Sequence, residues 1–169
     1  LLRFVGDLYN LDRQQVTRRI DELLRILDLT AAADDTIDSY SHGMQQKASL
    51  AAALVHDPRV LVLDEPTVGL DPKSARLIKD ILRQLAERGA AVFLSTHILE
   101  IAERMCDRIG IINKGELIAV GTMEELRALG QSGGASLEDI FLTLTGGDVL
   151  HAFTPGSPEE SDLNLAFAR

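Results

Sequence analysis

Two short apolar runs, at 60–63 and 91–95, most constrain what this chain can fold into. The first, Val-Leu-Val-Leu, shows no alternation of polar and apolar residues, the mark of a strand covered on both faces as in a parallel sheet. Between the runs, Asp71-Pro72 opens a helix whose apolar positions are Leu77, Ile78, Ile81, Leu82 and Leu85, closed by Gly89. Strand, helix and strand in that order imply an α/β domain whose strands include a parallel set. In such sheets ligands gather at the carboxyl ends of the strands. Asp64-Glu65 and Thr96-His97 both stand there.

The flanking segments are helical before the first run and mixed after the second. Residues 12–29 carry Val16, Ile20, Leu23, Leu24 and Leu27 at helical spacing, with Asp12 as N-cap. Residues 31–40 are polar and irregular, and 43–56 form an alanine-rich helix ended by Asp57-Pro58. A short helix is predicted at 98–106. Runs at 109–112 and 117–120 flank Asn113-Lys114-Gly115, a hairpin signal. Thr122 and Glu125 suit a capping box for a helix at 122–129. A Gly/Ser linker at 131–135 then precedes an amphipathic helix at 136–144. The tail contains "TPGSPEESD", which cannot bury enough apolar surface to order itself, so 148–169 is expected to be disordered and removable. Its "LNLAFA" is the part expected to dock if any does.

Composition narrows the function. A chain of 169 residues, 46% of them apolar, can build a core. A formal charge of −9 argues against nucleic-acid binding by bulk attraction. The single Cys106 excludes an internal disulfide, fits a reducing cytosol and is expected as a buried small hydrophobe. No apolar run is long enough to span a bilayer. The first residues lack the features of a signal peptide and are expected to be the interior of a longer chain.

The stretch "RVLVLDEPTVGLDP" carries the chemistry. Neighbouring side chains on a strand point opposite ways, so adjacent carboxylates can divide their work. One can hold Mg²⁺, which prefers a few carboxylates and keeps its waters; the other can orient an attacking water. Pro66 is expected to push Glu65 toward an extended backbone. The plainer reading is two solvated acids at a strand end. Ser41 and Asp71 likewise read as N-caps, and His97 as a helix-start residue.

"VLVLDEPTVGLDP" resembles the Walker B and D-loop region of ATP-binding cassette (ABC) ATPases. "YSHGMQQK" resembles their signature sequence, and "FLSTHILEIAERMCDRIGIINKGELIAVGT" their switch-histidine segment and hairpin. All three occur in family order. The resemblance implies a partial P-loop NTPase-type α/β fold: parallel core strands with flanking helices, the end of an α-helical subdomain, and a C-terminal β-hairpin. It implies four parts: 1–58, the end of the helical signature subdomain; 59–130, the later ATPase core; 131–147, linker and terminal helix; and 148–169, the tail.

For the site, the resemblance implies ATP and Mg²⁺ as cofactors, with Asp64 holding the metal. Glu65 would act as general base or water-positioner, and His97 would contact the γ-phosphate. Ser41, Gly43 and Met44 would meet the nucleotide of a second cassette, and Asp71 would lie at that interface. His42 stands where the family has glycine and Met44 where it has glutamine. The implied partners are a second cassette and transmembrane permease subunits, at the cytoplasmic face of the membrane and with no nucleic acid. The implied function is to power a transporter, an exporter of the bacterial multidrug, sodium or antibiotic type.

Phosphoryl transfer in this class also needs a Gly-rich loop with Lys, GxxxxGK[ST], and these 169 residues contain none. The chain alone is therefore expected not to hydrolyse ATP. Competing readings are a soluble ABC ATPase of translation or DNA repair, or a non-catalytic remnant that only binds partners.

Overall fold

The computed structural model describes residues 1–129, 134–146 and, as a backbone strand, 165–168. The chain divides into two compact units: residues 1–61 with 67–90, and residues 62–66 with 91–169. The helix after the first run thus groups with the N-terminal helices.

The first unit is helical: α1 (Leu2–Leu8), α2 (Arg13–Ile26), α3 (His42–Leu54) and α4 (Pro72–Glu87), with 3-10 turns at Thr30–Ala32 and Ile37–Ser39. Asp12 caps α2, its carboxylate accepting from the Gln14 and Gln15 N–H groups at 3.0 Å. The apolar stripe that follows buries Val16, Ile20 and Leu23, continued by Leu27 and Leu29. Alanines let α3 pack closely, burying Ala48, Leu50, Ala51 and Leu54; α4 contributes Ile78, Leu82 and Leu85. The irregular segment before α3 is pinned by Tyr40, whose hydroxyl donates to the Ala32 carbonyl at 2.6 Å. Gly6 is required where α1 crosses α2, since a Cβ there would lie 2.7 Å from Val16 Cγ1.

The second unit is built on a five-stranded sheet ordered β1-β2-β5-β3-β4: β1 (Val60–Asp64, of which 62–64 belong to this unit), β2 (Ala91–Ser95), β3 (Arg108–Asn113), β4 (Glu116–Gly121) and β5 (Leu165–Ala168). β3 and β4 form the expected hairpin, with Asn113 opposite Glu116. Lys114 and Gly115 both have positive φ, 50° and 80°, as a two-residue type I′ turn requires. Helices α5 (Leu99–Met105), α6 (Met123–Leu129) and α7 (Leu137–Thr145) complete it. Ser136 and Asp139 form a capping box at α7. The buried residues include Ile109, Ile111, Ala102, Leu126, Leu137 and Ile140.

Three sequence expectations are corrected. Strand β1 is not covered on both faces: Leu61 is buried, but Val60 and Val62 are 64% and 68% exposed. It is an edge strand, and an unbroken apolar run reports composition, not what packs against it. Leu165–Ala168 is not disordered tail. It pairs antiparallel with β2 and β3, opposing Phe167 to both Leu94 and Ile109, because those two strands leave room for a ladder between them. The remainder of 148–169 and residues 131–133 of the expected linker lie outside the described residues. Cys106 is partly exposed, not buried.

Candidate active site

Strands β1 and β2 end side by side in the second unit, and their last residues converge. The Asp64 carboxylate accepts a hydrogen bond from the Ser95 hydroxyl. One residue on, Glu65 N–H donates to the Ser95 carbonyl at 3.1 Å, so the backbone ladder fixes where both acids leave the sheet.

The Glu65 side chain is held by three donors. Thr96 Oγ1 donates to Oε2 at 3.0 Å, and the His97 backbone N–H donates to Oε1 at 2.8 Å. His97 Nδ1 lies 2.7 Å from the same Oε1. As Nδ1–H it donates to an ionised carboxylate, leaving Nε2 for a second contact. The Thr96 hydroxyl also accepts from Ile98 N–H at 3.1 Å, and Thr96 is 1% exposed. Thr96 is thus a buried brace between Glu65 and the start of α5. Neither Ser95 nor Thr96 was assigned a role from sequence, although both hydroxyls stand next to His97 in the chain.

Glu65 departs from expectation in its backbone. Its φ is +44°, the left-handed region, not an extended conformation. The steric rule for residues preceding proline favours an extended backbone with negative φ, and at Glu65 that preference is overridden. Here the carboxylate's three partners hold the residue in a conformation costly for a non-glycine, the kind of strain that persists where surrounding contacts over-determine it.

The remaining expected residues belong to the first unit. Ser41 caps α3, its hydroxyl accepting from Met44 N–H at 3.3 Å. Asp71 caps α4: Oδ1 accepts from Lys73 and Ser74 N–H at 2.9 and 3.0 Å, and Oδ2 from the Ser74 hydroxyl at 2.6 Å. Gly43 packs on Leu70, with its Cβ position 3.4 Å from Leu70 Cδ2.

The Ser74 hydroxyl, then the Ser74 and Lys73 N–H groups and the Lys47 charge, hold the Asp71 carboxyl below the ordinary value of 3.8. A depressed folded-state pKa gives stability that is present above the unfolded value and lost as pH falls through the folded one. Asn caps helices as well as Asp but does not titrate in this range. The melting-temperature advantage of the wild type over Asp71→Asn should therefore be full near neutrality and close as pH falls below about 4. A gap independent of pH would show that the charge on Asp71 contributes nothing.

Among the described residues no cluster of three or more His, Cys, Asp or Glu could hold a metal. Mg²⁺ does not need one, since it is commonly bound through one or two carboxylates, waters and substrate phosphates. The exposed Asp64 carboxylate beside the Ser95 hydroxyl suits that mode. No helix of the described residues is long and apolar enough to cross a membrane.

A family model described as "AAA domain, putative AbiEii toxin, Type IV TA system" matches residues 3–103; the class is that of AAA-domain proteins. The chain is 43% identical over 125 residues to the linearmycin resistance ATP-binding protein LnrL of Bacillus subtilis, a match covering 74% of this chain and 40% of that protein. It is 40% identical over 137 residues to the daunorubicin resistance ATP-binding protein DrrA3 of Streptomyces coeruleorubidus, covering 81% of this chain and 43% of that protein. A solved structure described as the ATP binding subunit of an ABC transporter superposes with a TM-score of 0.81 at 34% identity, over 85% of this chain and 60% of that one. The chain belongs to the ATP-binding proteins of ABC transporters. It spans less than half the length of these two curated relatives.

Proposed function

We propose that this chain supplies the later half of a cassette that binds and hydrolyses MgATP to power an ABC exporter. The observation that carries the reading is the Glu65 carboxylate, clamped by Thr96 and both nitrogen donors of His97, one residue past Asp64 at the end of its strand. A fixed carboxylate can orient a water for in-line attack, and phosphoryl transfer depends chiefly on such positioning and on charge stabilisation. Asp64 would hold Mg²⁺, which supplies neutralisation of phosphate charge when bound. His97 would reach the γ-phosphate through Nε2 while its Nδ1 keeps Glu65 aligned.

Ser41, Gly43, Met44 and Asp71 would face the nucleotide of a second cassette, so that two subunits close head to tail around two MgATP. Permease subunits would be the membrane partners, with this protein peripheral to the inner face of the cell membrane. Export fits two relatives named for resistance to linearmycin and daunorubicin.

The test is His97→Ala in the intact protein that carries this chain. Loss of both His97 nitrogen contacts is not expected, because the backbone N–H remains. Turnover of ATP should fall at least about tenfold, while ATP affinity changes little. Unchanged turnover would remove His97 from the site.

A further inference from the structure

We infer that His42 is a positioning residue that fixes the turn at 69–71 against the start of α3. The inference rests on the proposed function, since the work assigned to both segments is to face a second cassette.

His42 is the first residue of α3, and its side chain extends away from the helix to lie on Gly69. An ideal Cβ on Gly69 would stand 2.8 Å from His42 Cδ2 and 2.9 Å from Nε2. The ring therefore covers the position where any other residue would carry a side chain. Gly69 also has φ +74°, so the turn demands glycine twice, once for its backbone and once for the imidazole. Two neighbouring contacts run in the same register. Gly43 meets Leu70, and Lys47, one turn further along α3, is close enough to Asp71 to lower its carboxyl pKa. Residues 42, 43 and 47 of one helix thus lie along residues 69, 70 and 71 of the loop that starts another.

The consequence is that the start of α3 and the cap of α4 behave as one body. A small residue at 42 would leave Gly69 uncovered and the turn free to move relative to Ser41. The flat ring supplies the contact; its capacity to ionise is not needed. His42→Phe should therefore replace it, while His42→Ala should not.

The experiment is a double-mutant cycle on the intact protein with His42→Ala, Gly69→Ala and the pair, reading MgATP-driven self-association, maximal turnover and melting temperature. Gly69→Ala should raise the MgATP concentration for half-maximal association on the order of tenfold in the native background. In the His42→Ala background the increase should be only about twofold, because the φ +74° strain remains while the ring that an added Cβ would meet is gone, so the coupling reports that contact alone. His42→Ala alone should raise that concentration about threefold with little change in maximal turnover, and His42→Phe should restore it. Additive effects would overturn the contact. A lowered melting temperature with an unmoved association midpoint would show a merely structural role, and failure of His42→Phe would show that the imidazole does something other than pack. These outcomes are distinct from failure of the functional reading, in which the unmodified protein itself would show no Glu65-dependent turnover.

Discussion

Glu65→Gln in the intact protein should bind ATP normally, turn it over about 10²–10⁴ times more slowly, and accumulate as an ATP-bound dimer. The substitution changes charge with almost no change in shape. Its carbonyl oxygen can still accept from the His97 N–H, and its amide can donate to the Thr96 hydroxyl, which otherwise donates to Glu65 Oε2. The backbone at φ +44° is equally strained in both forms. What disappears is the ability to draw a proton from water and hold it in line. Equilibrium ATP binding, steady-state phosphate release and sizing with ATP separate these effects. Phosphate release at the wild-type rate would exclude Glu65 as base or water-positioner.

Gly43→Asp should weaken ATP-driven association by about 100-fold or more, because a carboxylate set against a phosphate costs several kcal/mol. The fold should tolerate it. A Cβ at this position meets only Leu70 Cδ2, at 3.4 Å, and a leucine terminus can give by a few tenths of an ångström. The mutant is therefore expected to fold and to bind ATP as a monomer. Mixed with an intact protein disabled in its phosphate-binding loop, it should regain one composite site and associate measurably. Each protein alone should fail. Normal association by Gly43→Asp alone would reduce Ser41 to the helix cap seen here and take the partner's nucleotide away from α3.

The parts of the fold legible from sequence were those decided within a few residues. Asp12, Ser41, Asp71 and Thr122 were readable as caps because capping is local chemistry between a side chain and the N–H groups two or three residues on. The hairpin was readable because Lys114-Gly115 meets the requirement for two positive φ angles. The approach of Glu65 to Thr96 and His97 followed from strand ends in a parallel arrangement.

What escaped depends on long-range partners. The apolar run at 60–63 could not reveal that Val60 and Val62 lie exposed. Glu65 takes its left-handed backbone under constraints delivered by Thr96 and His97, thirty-odd residues away. Likewise, nothing local marks His42 as the neighbour of Gly69, and although "LNLAFA" stands out as the part of the tail fit to dock, nothing local places it between β2 and β3.

That strand has a kinetic consequence. β5 supplies the ladder between β2 and β3, so the centre of the sheet joins residues far apart in the chain. The β3–β4 hairpin can form within microseconds of its own residues being available. Closing β5 must wait for a much longer loop, with its entropic cost met before the contacts form. During synthesis β2 and β3 therefore spend an interval with facing edges unpaired, when a strand from elsewhere in the same polypeptide, or from another copy, can compete for the gap.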